Sequence, residues 1–412
     1  MALLVQKYGG TSVATPERIR HVARRVARWR RAGHDLVVVV SAMGDTTDEL
    51  LALARQVSPD PRRRHPRELD MLLTAGERIA MALLAMAIRE ERVEAISLTG
   101  SQAAIITDEV HTGARIEEVR AARVREELAR GRVVIVAGFQ GVSRGREVTT
   151  LGRGGSDTTA VALAAALGAE RCDIYTDVDG VYTADPRRVP GARRLVRIDY
   201  EEMLELATSG AKVVHPRAVE IGARYGVPIR VLSSFRDDEE GGTLIGTRAQ
   251  GMEDMVLTGL ASEPGHARLL VRGLPGGMRP TSAVLARLAA AGVSVDMLAQ
   301  VDGADGRRAL QLTVLEDVLP EARAVCEAAA AELGAEGVEV RPGLARVTLV
   351  GSGMHGRPGV FARAFEALMG AGVEVFAVST SSISIALLVD GAQEDAALAA
   401  LHAAFGLGEG AR

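Results

Sequence analysis

Two glycine-rich segments of the chain have the composition of phosphate-binding loops. Lys7-Tyr8-Gly9-Gly10-Thr11-Ser12 follows the first apolar run, and Gly152-Arg153-Gly154-Gly155-Ser156-Asp157 lies between a strand-like run and an Ala-rich helical run. Backbone amides at the start of a helix bind anions, and the lysine and the arginine add positive charge. The pair of loops therefore predicts a polyphosphate that faces an anionic co-substrate, an arrangement suited to phosphoryl transfer.

Lys7 has the residue type that phosphoryl transfer needs. The transition state spreads negative charge over equatorial oxygens, so a cation and amide donors such as those of Gly9 and Gly10 stabilise it. A structural alternative is that Lys7 only ends a strand and the glycines only form a turn. Asp157 is expected at the same strand ends, where it would orient Lys7, hold the metal carried by ATP, or cap the helix that begins at Thr158.

Arg153 and Glu77 are the candidates for binding a small amino acid, because a guanidinium pairs with its carboxylate and a carboxylate pairs with its ammonium group. Glu77 lies within a long apolar helical pattern, where burying a charge without a partner is costly. The structural alternative to a substrate-binding role is that Glu77 occupies a surface position of this helix. Further substrate contacts are expected from the second glycine loop and from a turn after another strand, namely from Gly154, Gly155, Ser156, Ser41 and Thr47.

The polar, turn-rich segment at residues 176–187 is predicted to form a nucleoside pocket. Tyr182 is expected to cover the base, and Lys212 is expected to reach the phosphates. No Walker lysine motif occurs, and neither the Asp spacing nor the eight histidines match a metal-binding pattern, so no protein-bound metal is predicted. His215 is expected to be a packing or turn residue. The predicted nucleotide-binding residues are Lys7, Tyr8, Gly9, Gly10, Thr176, Asp177, Asp179, Gly180, Val181, Tyr182, Asp185, Pro186, Arg187 and Lys212.

Composition limits the class of protein. A chain of 412 residues suggests about two to four domains, and its 47% hydrophobic content is enough for sizeable cores. A formal net charge of −4 argues against a nucleic-acid partner. Cys172 and Cys326 cannot make a disulfide framework, and the sequence has no basic leader and no uncharged apolar run of ~18 residues. We therefore expect a cytoplasmic protein without a membrane segment.

The elements that must position these residues alternate in type over residues 1–246, which we predict to be one domain. Mostly continuous apolar runs indicate strands buried on both faces, with helix-length segments between them. Strands are predicted at residues 3–6, 36–40, 95–98, 133–137, 173–176 and 229–232. Helices are predicted at 16–32, 68–87, 116–129, 158–166, 200–207 and 216–225. This alternation predicts an α/β fold with a mostly parallel sheet sandwiched by helices.

A polar linker is predicted at residues 247–254, followed by shorter units. Their strands are predicted at 255–261, 268–273, 293–301, 310–314, 338–341, 346–350, 373–379 and 383–389, and their helices at 281–291, 319–333, 359–371 and 394–404. The order gives two βαββαβ units if the strand at 255–261 completes the second. Both units contain an Ala-Gly-Val phrase after the first helix, which indicates an internal repeat with domains at 255–342 and 343–412.

Taken together, these motifs closely resemble those of the aspartate kinases, a family of the amino-acid kinase superfamily. The resemblance is carried by residues 7–13, 41–44, 72–78, 152–157, 176–187 and 210–212. Any one glycine loop is weak evidence, but the ordered set runs along nearly the whole chain and is specific. The resemblance implies an amino-acid kinase fold followed by two ferredoxin-like βαββαβ ACT domains.

The resemblance also implies an activity and residue roles. The activity is transfer of the γ-phosphoryl group of ATP, with Mg²⁺, to the side-chain carboxylate of L-aspartate. The product would be 4-phospho-L-aspartate, the start of lysine, threonine, methionine and diaminopimelate biosynthesis. By this likeness Lys7 stabilises the transferring group and Asp157 organises that lysine. Aspartate would be held by Ser41, Thr47, Glu77, Arg153 and Ser156, and nucleotide by Thr176, Asp177, Tyr182, Asp185, Arg187 and Lys212.

ACT domains of this family bind lysine or threonine at their mutual interface and often complete a dimer. The resemblance therefore implies lysine or threonine as effectors and a homodimer or higher oligomer. It leaves open an ACT-only subunit translated from Met252 or Met255. This chain has Gly-Gly-Met-Arg at residues 276–279 where the family usually has Asp-x-Pro-Gly, and Val301, Ser382 and Ser384 replace polar or charged residues. We predict that feedback inhibition is weakened or has a different effector.

Two other functions remain open at this point. One is a different small-carboxylate kinase on the same fold, such as an acetylglutamate kinase. The other is a non-catalytic amino-acid sensor whose kinase half is a relic. The presence of Lys7, Arg153, Asp157 and Lys212 argues against the sensor.

Overall fold

The computed structural model describes residues 2–236, 241–247, 256–354 and 357–408. The chain divides into two compact units, each described by itself below. The first comprises Met1–Val181, Arg194–Ala207 and Lys212–Gly251, and the second comprises Tyr182–Arg193, Thr208–Ala211 and Met252–Arg412. Most of the linker predicted at 247–254 lies outside the described residues.

The first unit is built on a central sheet whose strands are short and rich in Val, Ile and Leu, as expected for strands buried on both faces. Its strands are β1 (Leu3–Tyr8), β2 (Asp35–Val40), β3 (Ala95–Leu98), β4 (Ile105–Thr107), β5 (Ile116–Val119), β6 (Val133–Ala137), β7 (Gln140–Ser143), β8 (Val148–Thr150), β9 (Arg171–Thr176), β10 (Arg197–Asp199), β11 (Ile229–Ser233) and β12 (Thr243–Gly246). Within the described residues, eight of them form a sheet in the order β10-β12-β11-β9-β1-β2-β6-β3. All neighbours are parallel except β11 and β12. A smaller sheet has the order β5-β4-β7-β8.

Helices cover the central sheet. They are α1 (Pro16–Arg31), α2 (Thr46–Val57), α3 (Pro61–Arg64), α4 (Pro66–Leu73), α5 (Ala75–Glu90), α6 (Ala122–Ala129), α7 (Gly155–Leu167), α8 (Tyr200–Thr208) and α9 (Pro216–Tyr225). The start of α1 has Pro16 in its first turn, and the Thr15 side chain accepts a hydrogen bond from the Arg18 amide. Apolar residues of α1 and α5 pack on β1, β2 and β6 in one core cluster.

Three of the predicted helices differ from the structure. The helix predicted at 116–129 is wrong in its first part, because Ile116–Val119 pairs with β4 as a strand and the helix is only Ala122–Ala129. The helix predicted at 68–87 is two helices that meet at Thr74, whose hydroxyl donates to the Met71 carbonyl. The helix predicted to begin at Thr158 begins three residues earlier, directly after Gly154 at φ +66°.

The second unit has one six-stranded sheet among its described residues, in the order β14-β15-β13-β16-β18-β17. Its strands are β13 (Gly259–Pro275), β14 (Leu298–Asp302), β15 (Arg307–Leu315), β16 (Gly337–Val350), β17 (Val375–Thr380) and β18 (Ser384–Asp390). Its helices are α10 (Met278–Ala290), α11 (Leu319–Leu333), α12 (Val360–Gly370) and α13 (Glu394–Ala404).

Four of the predicted strands in the second unit are halves of two long ones. The runs at 255–261 and 268–273 both fall on β13, apart from residues before 259, and those at 338–341 and 346–350 both fall on β16. Between the two halves of β13, Pro264 and Gly265 coincide with register shifts inside a continuous strand. The strand predicted at 293–301 begins only at Leu298.

One helical run, Pro66–Glu90, is long and apolar enough to cross a membrane by length and composition alone. Half of its most apolar window is buried inside the protein. Its residues Asp70 and Glu77 are also buried. These features are typical of a core helix in a soluble protein.

Candidate active site

Lys7 is the next-to-last residue of β1, near the middle of the parallel sheet. Side chains alternate between the two faces of a strand, so Lys7 and Tyr8 point to opposite faces. The Lys7 Nζ lies 2.6 Å from Asp157 Oδ1, and the two side chains are 10% and 11% exposed. An ion pair this close fixes the direction of the ammonium group at the carboxyl end of the sheet.

Asp157 lies in the first turn of α7, where the helix dipole favours a carboxylate. It does not cap its own helix, because the capping position is Gly154. Instead its Oδ2 accepts a hydrogen bond from the His215 amide at 3.3 Å. Burial lowers the pKa of His215 below its usual value, so the ring is neutral at pH 7 and Nδ1 accepts from the Arg217 amide at 3.3 Å. His215 is thus a capping residue of α9, as its predicted turn role suggests.

The second glycine loop is held in one conformation by its surroundings. A Cβ on Gly154 would lie 2.0 Å from the His215 ring, and its φ is +66°, so only glycine fits there. Arg217 Nη1 donates to the Leu151 carbonyl at 2.7 Å. Asp70 Oδ1 accepts from Thr150 Oγ1 at 2.6 Å. The backbone directly before Arg153 is therefore anchored at Thr150 and Leu151.

The turn after β2 lies against both glycine loops. Ser41 Oγ donates to Ser156 Oγ at 2.9 Å. The Gly44 amide donates to the Gly10 carbonyl at 3.1 Å, and a Cβ on Gly10 would lie 3.0 Å from the Ala42 carbonyl. The structure therefore brings together three segments that the sequence predicts to contact substrates.

Glu77 is a buried carboxyl group with one unused oxygen. It is 3% exposed, and its Oε1 accepts a hydrogen bond from the Ala42 amide at 3.1 Å. Burial raises the pKa of Glu77 to about 7. Its Oε2 has no hydrogen-bond partner among the described residues. Such an oxygen is prepared to accept from a cationic ligand group.

Three further predicted residues lie on more exposed backbone. Arg153 and Lys212 are exposed, and neither makes an ion pair with any residue that the structure describes. Thr47 is half-buried in the first turn of α2. Arg153 and Lys212 therefore remain available for anionic ligands.

The first part of the predicted nucleoside segment, residues 176–181, belongs to the first unit. Asp179 Oδ2 lies 2.6 Å from Arg236 Nη1, and Thr176 Oγ1 donates to Asp177 Oδ1 at 3.0 Å. Gly180 has φ +151°, and a Cβ there would lie 2.6 Å from Thr243 Oγ1. The segment is therefore fixed by specific contacts, although it has no regular secondary structure after Thr176, the last residue of β9.

The remaining part of that segment belongs to the second unit. Asp185 and Arg187 form a two-point ion pair, with Nη2 to Oδ2 at 2.7 Å and Nε to Oδ1 at 3.0 Å, which lowers the pKa of Asp185. Pro186 lies between them, and Ala184 packs in the core cluster of the second unit. The geometry of the first unit alone thus includes Asp177, Asp179, Gly180 and Val181, but not Tyr182, Asp185, Pro186 or Arg187.

Comparison with known proteins agrees with this geometry. The model of the amino acid kinase family matches residues 2–233, and a model of the ACT domain matches residues 347–405. An aspartokinase of Mycolicibacterium smegmatis is 51% identical over 413 residues, which cover 99% of this chain and 97% of that relative. This chain belongs to the aspartokinase family.

Solved aspartokinases share the fold. The crystal structure of Escherichia coli aspartokinase III in complex with aspartate and ADP, in its R-state, has a TM-score of 0.80 at 28% identity and covers 98% of this chain and 99% of that one. The complex of the same enzyme with lysine and aspartate, in its T-state, has a TM-score of 0.75 at 28% identity, with 97% and 99% covered. The predicted amino-acid kinase fold with ACT domains is confirmed.

Two residues that fix the candidate site, Asp70 and Arg217, were missed by sequence reasoning. Asp70 is fully buried and also accepts from His111 Nδ1 at 2.7 Å and from the Thr112 amide at 3.1 Å, tying α4 to the segment beside the second glycine loop. Its only sequence signal was a carboxylate in an apolar helical pattern, the same signal that identified Glu77. Arg217 gave no signal, because its acceptors, the carbonyls of Ala114 and Leu151, are distant in sequence.

Proposed function

We propose that this chain transfers the γ-phosphoryl group of ATP to the β-carboxylate of L-aspartate, giving 4-phospho-L-aspartate and ADP. The observation that carries the proposal is the Lys7–Asp157 ion pair of 2.6 Å at the end of β1, beside two glycine loops that both contact the turn after β2. Support also comes from relatives, because the M. smegmatis protein is named an aspartokinase and the E. coli structure contains aspartate and ADP. The reaction is the first step towards lysine, threonine, methionine and diaminopimelate.

In the proposed reaction, a β-carboxylate oxygen of aspartate attacks the γ-phosphorus of ATP. A bond forms between that oxygen and phosphorus, and the bond to the β,γ-bridging oxygen breaks, so the electron pair leaves with ADP. Lys7 lies where its ammonium group can follow the γ-phosphoryl oxygens, and Asp157 holds it there. The amides of Gly9 and Gly10 add donors for the terminal phosphates.

Aspartate is positioned in this proposal by charges of both signs. The unused Glu77 Oε2 accepts from the α-ammonium group, and Arg153 pairs with the α-carboxylate. Ser41, Ser156 and Thr47 provide hydroxyl groups around the acceptor, and the backbone of Gly154 and Gly155 approaches it closely. A ligand with an ammonium group suits this site better than an acylated amine, because the amide of an acylated amine cannot neutralise Glu77.

ATP is proposed to bind along the Thr176–Val181 backbone, with Lys212 on the phosphates. A nucleotide role for Tyr182, Asp185, Pro186 and Arg187, which belong to the second unit, stays a prediction. We propose that Mg²⁺ enters with the nucleotide as part of the substrate. The described residues contain no group of three His, Cys, Asp or Glu side chains that could hold a metal, and Asp157 is already paired with Lys7. The phosphate oxygens would then supply most of the coordination.

Other aspects of the function stay predictions. The division into domains at 1–246, 255–342 and 343–412 is one of them. Lysine or threonine as effectors, a homodimer or higher oligomer, an ACT-only subunit and a cytoplasmic location are others. Lysine is present in one E. coli complex, which makes it the first effector to examine.

The decisive experiment is an ATP-dependent hydroxamate assay, which traps an acyl phosphate. We expect product with aspartate in the wild type, no turnover in Lys7→Ala, and a raised aspartate requirement in Glu77→Ala. Arg120→Ala is the matched control, because it removes an exposed cation whose partner is Glu118. Product with N-acetylglutamate but not with aspartate would overturn the proposal, as would unchanged kinetics in both site variants.

A further inference from the structure

Behind Lys7, on the opposite face of β1, lies a buried aromatic and cationic cluster. The Tyr8 and Tyr175 rings stack with centroids 4.7 Å apart at 4°. The guanidinium of Arg25, from α1, lies 4.8 Å from the Tyr175 ring centroid. Arg25 is only 1% exposed. Removing a guanidinium from water is costly unless its donors are used, so this position calls for an explanation.

The two terminal nitrogens of Arg25 donate to the backbone of a single segment, and Nη2 also lies 3.5 Å from His21 Nε2. Its Nη1 donates to the Ser234 carbonyl at 3.2 Å, and its Nη2 donates to the Arg236 carbonyl at 2.5 Å. The planar fork of a guanidinium can bridge two carbonyl groups at once, whereas a lysine ammonium cannot match that geometry. Arg25 therefore fixes residues 234–236 directly after β11.

Residues 234–236 in turn hold the predicted nucleotide segment. The Ser234 amide donates to the Thr176 carbonyl at 2.8 Å, and Arg236 Nη1 lies 2.6 Å from Asp179 Oδ2. Arg194 Nη1 donates to the Asp179 carbonyl at 3.3 Å from the other side. Through Ser234 and Arg236, the contacts of Arg25 thus reach both Thr176, at the start of the 176–181 segment, and Asp179, in its middle.

The same cluster also contacts the first glycine loop. The Tyr175 carbonyl accepts a hydrogen bond from the Gly9 amide at 3.2 Å. The Tyr175 ring therefore packs between Tyr8 and Arg25, and its backbone carbonyl binds the first glycine loop. Both segments proposed to contact ATP rest on this cluster.

We propose that Arg25 is a positioning residue for ATP, acting through the 234–236 backbone and the Arg236–Asp179 ion pair. Arg25 is remote from the reacting atoms in this scheme and sets the place of the nucleotide segment relative to Gly9. The inference rests on the proposed function, because it takes residues 176–181 as part of the nucleotide site.

The test compares KM for ATP with KM for aspartate in Arg25→Lys, Arg236→Gln and Asp179→Asn. Each is expected to raise KM for ATP about five- to twentyfold and to change KM for aspartate less than about twofold. In the Arg25→Lys, Arg236→Gln double variant, KM for ATP is expected to rise less than the product of the two single increases, because both residues act through one path. An arginine with a purely structural role would not raise KM for ATP while leaving KM for aspartate nearly unchanged.

Arg230→Gln is the matched control. Arg230 is also a mostly buried arginine of the first unit, with Nε 3.0 Å from Asp173 Oδ1, but it lies at the amino end of β11, away from the site. It is expected to lower thermal stability and to leave both KM values within about twofold. A similar rise of KM for ATP in this control would overturn the positioning role.

The outcomes separate the two proposals. If Arg236→Gln and Asp179→Asn raise KM for ATP but Arg25→Lys does not, the Arg25 proposal fails and the nucleotide site stands. If none of the three changes KM for ATP while Lys7→Ala is inactive, the nucleotide role of residues 176–181 fails as well. Should Arg25→Lys not fold, Arg236→Gln still decides, because its side chain is 67% exposed and an unchanged KM there overturns the path.

Discussion

The two faces of β1 differ in the kind of polar group that they carry. On the Lys7 face, the Lys7 ammonium group pairs with Asp157 in the first turn of α7, and Arg153 before that helix makes no ion pair with a described residue. On the Tyr8 face, the rings of Tyr8 and Tyr175 stack and the Arg25 fork bridges two carbonyl groups. The first face is prepared for ligands, and the second supports the strand on which they act.

The comparison teaches that activity and stability should separate along a single strand. Residues of β1 alternate, so Val5 and Lys7 share one face and Leu4 and Tyr8 share the other. Substitutions one or three residues apart should therefore have different consequences. A change on the ligand face should affect kinetics first, and a change on the support face should affect the free energy of unfolding first.

The largest expected effect is in Lys7→Ala. Loss of the cation at the transferring group should lower kcat by about 10²–10³ or more, as removal of a key electrostatic group does in other enzymes. The support-face counterpart is Leu4→Ala, which truncates a fully buried side chain and should cost about 2–5 kcal/mol of stability. Steady-state kinetics and chemical denaturation of both variants provide the measurement. Normal turnover in Lys7→Ala, or a large loss of kcat per folded molecule in Leu4→Ala, would break the comparison.

The second expected effect is a pH dependence that comes from Glu77. Its pKa of about 7 means that the carboxyl group loses its proton as pH rises through neutrality, and only the ionised form neutralises an ammonium group. KM for aspartate should therefore fall between about pH 6 and 8 in the wild type. In Glu77→Gln it should be raised about tenfold or more and be independent of pH in this range. An identical pH profile in the two proteins would remove Glu77 from the aspartate site.

Glu77 should also have the opposite effect on stability. A carboxyl group whose pKa is raised on folding stabilises the folded state below its unfolded pKa, and this contribution is lost as pH rises towards 7. Glu77→Gln should accordingly gain roughly 1–3 kcal/mol relative to wild type at pH 8, because a buried charge is removed. Denaturation at pH 5 and pH 8 gives the sign. A destabilised Glu77→Gln at pH 8 would contradict it.

The sequence predicted the parts of this arrangement that depend on local pattern. The strands at 95–98 and 133–137 have the predicted bounds, and Lys7 and Asp157 meet because strand ends and helix starts of a parallel sheet converge. The smaller sheet was missed, since strands of three or four residues have too little periodicity, and the Ile and Val of Ile116–Val119 are also spaced as on a helix face.

Long-range contacts set the rest of the site. Arg25 and Ser234 are 209 residues apart in the chain, and no local pattern links an arginine of a basic helix to a carbonyl group after a distant strand. The two long strands of the second unit were divided for a related reason, because Pro and Gly are turn signals unless neighbouring strands continue the ladder across them. Whether a strand continues through such a Pro or Gly depends on its pairing with neighbouring strands, and that pairing cannot be read from the local sequence.

A smaller effect is expected at the second glycine loop. In Gly154→Ala the new methyl group would meet the His215 ring, at a φ that disfavours any side chain. We expect a loss of about 1–3 kcal/mol of stability and a reduction of kcat because His215 and Asp157 must shift. Gly168→Ala is the control, since its φ is also positive but nothing lies within 4 Å of the added atom. Equal kcat in the two variants would mean that His215 does not position Asp157.

The smallest expected effect concerns the second unit. Residues 276–279 are Gly-Gly-Met-Arg, without the acidic turn residue that the resemblance led us to expect, so we predict that lysine or threonine at sub-millimolar concentration changes the rate less than about twofold. Gly276→Asp is not a simple restoration of that residue, because a Cβ at Gly276 would lie 2.6 Å from the Gly306 carbonyl oxygen and the backbone there would have to move. Rates titrated with each amino acid, separately and together, provide the measurement. Strong inhibition of the wild type would show that the effector site does not need that carboxylate, and the contrast between the kinase unit and a weakened regulatory unit would then disappear.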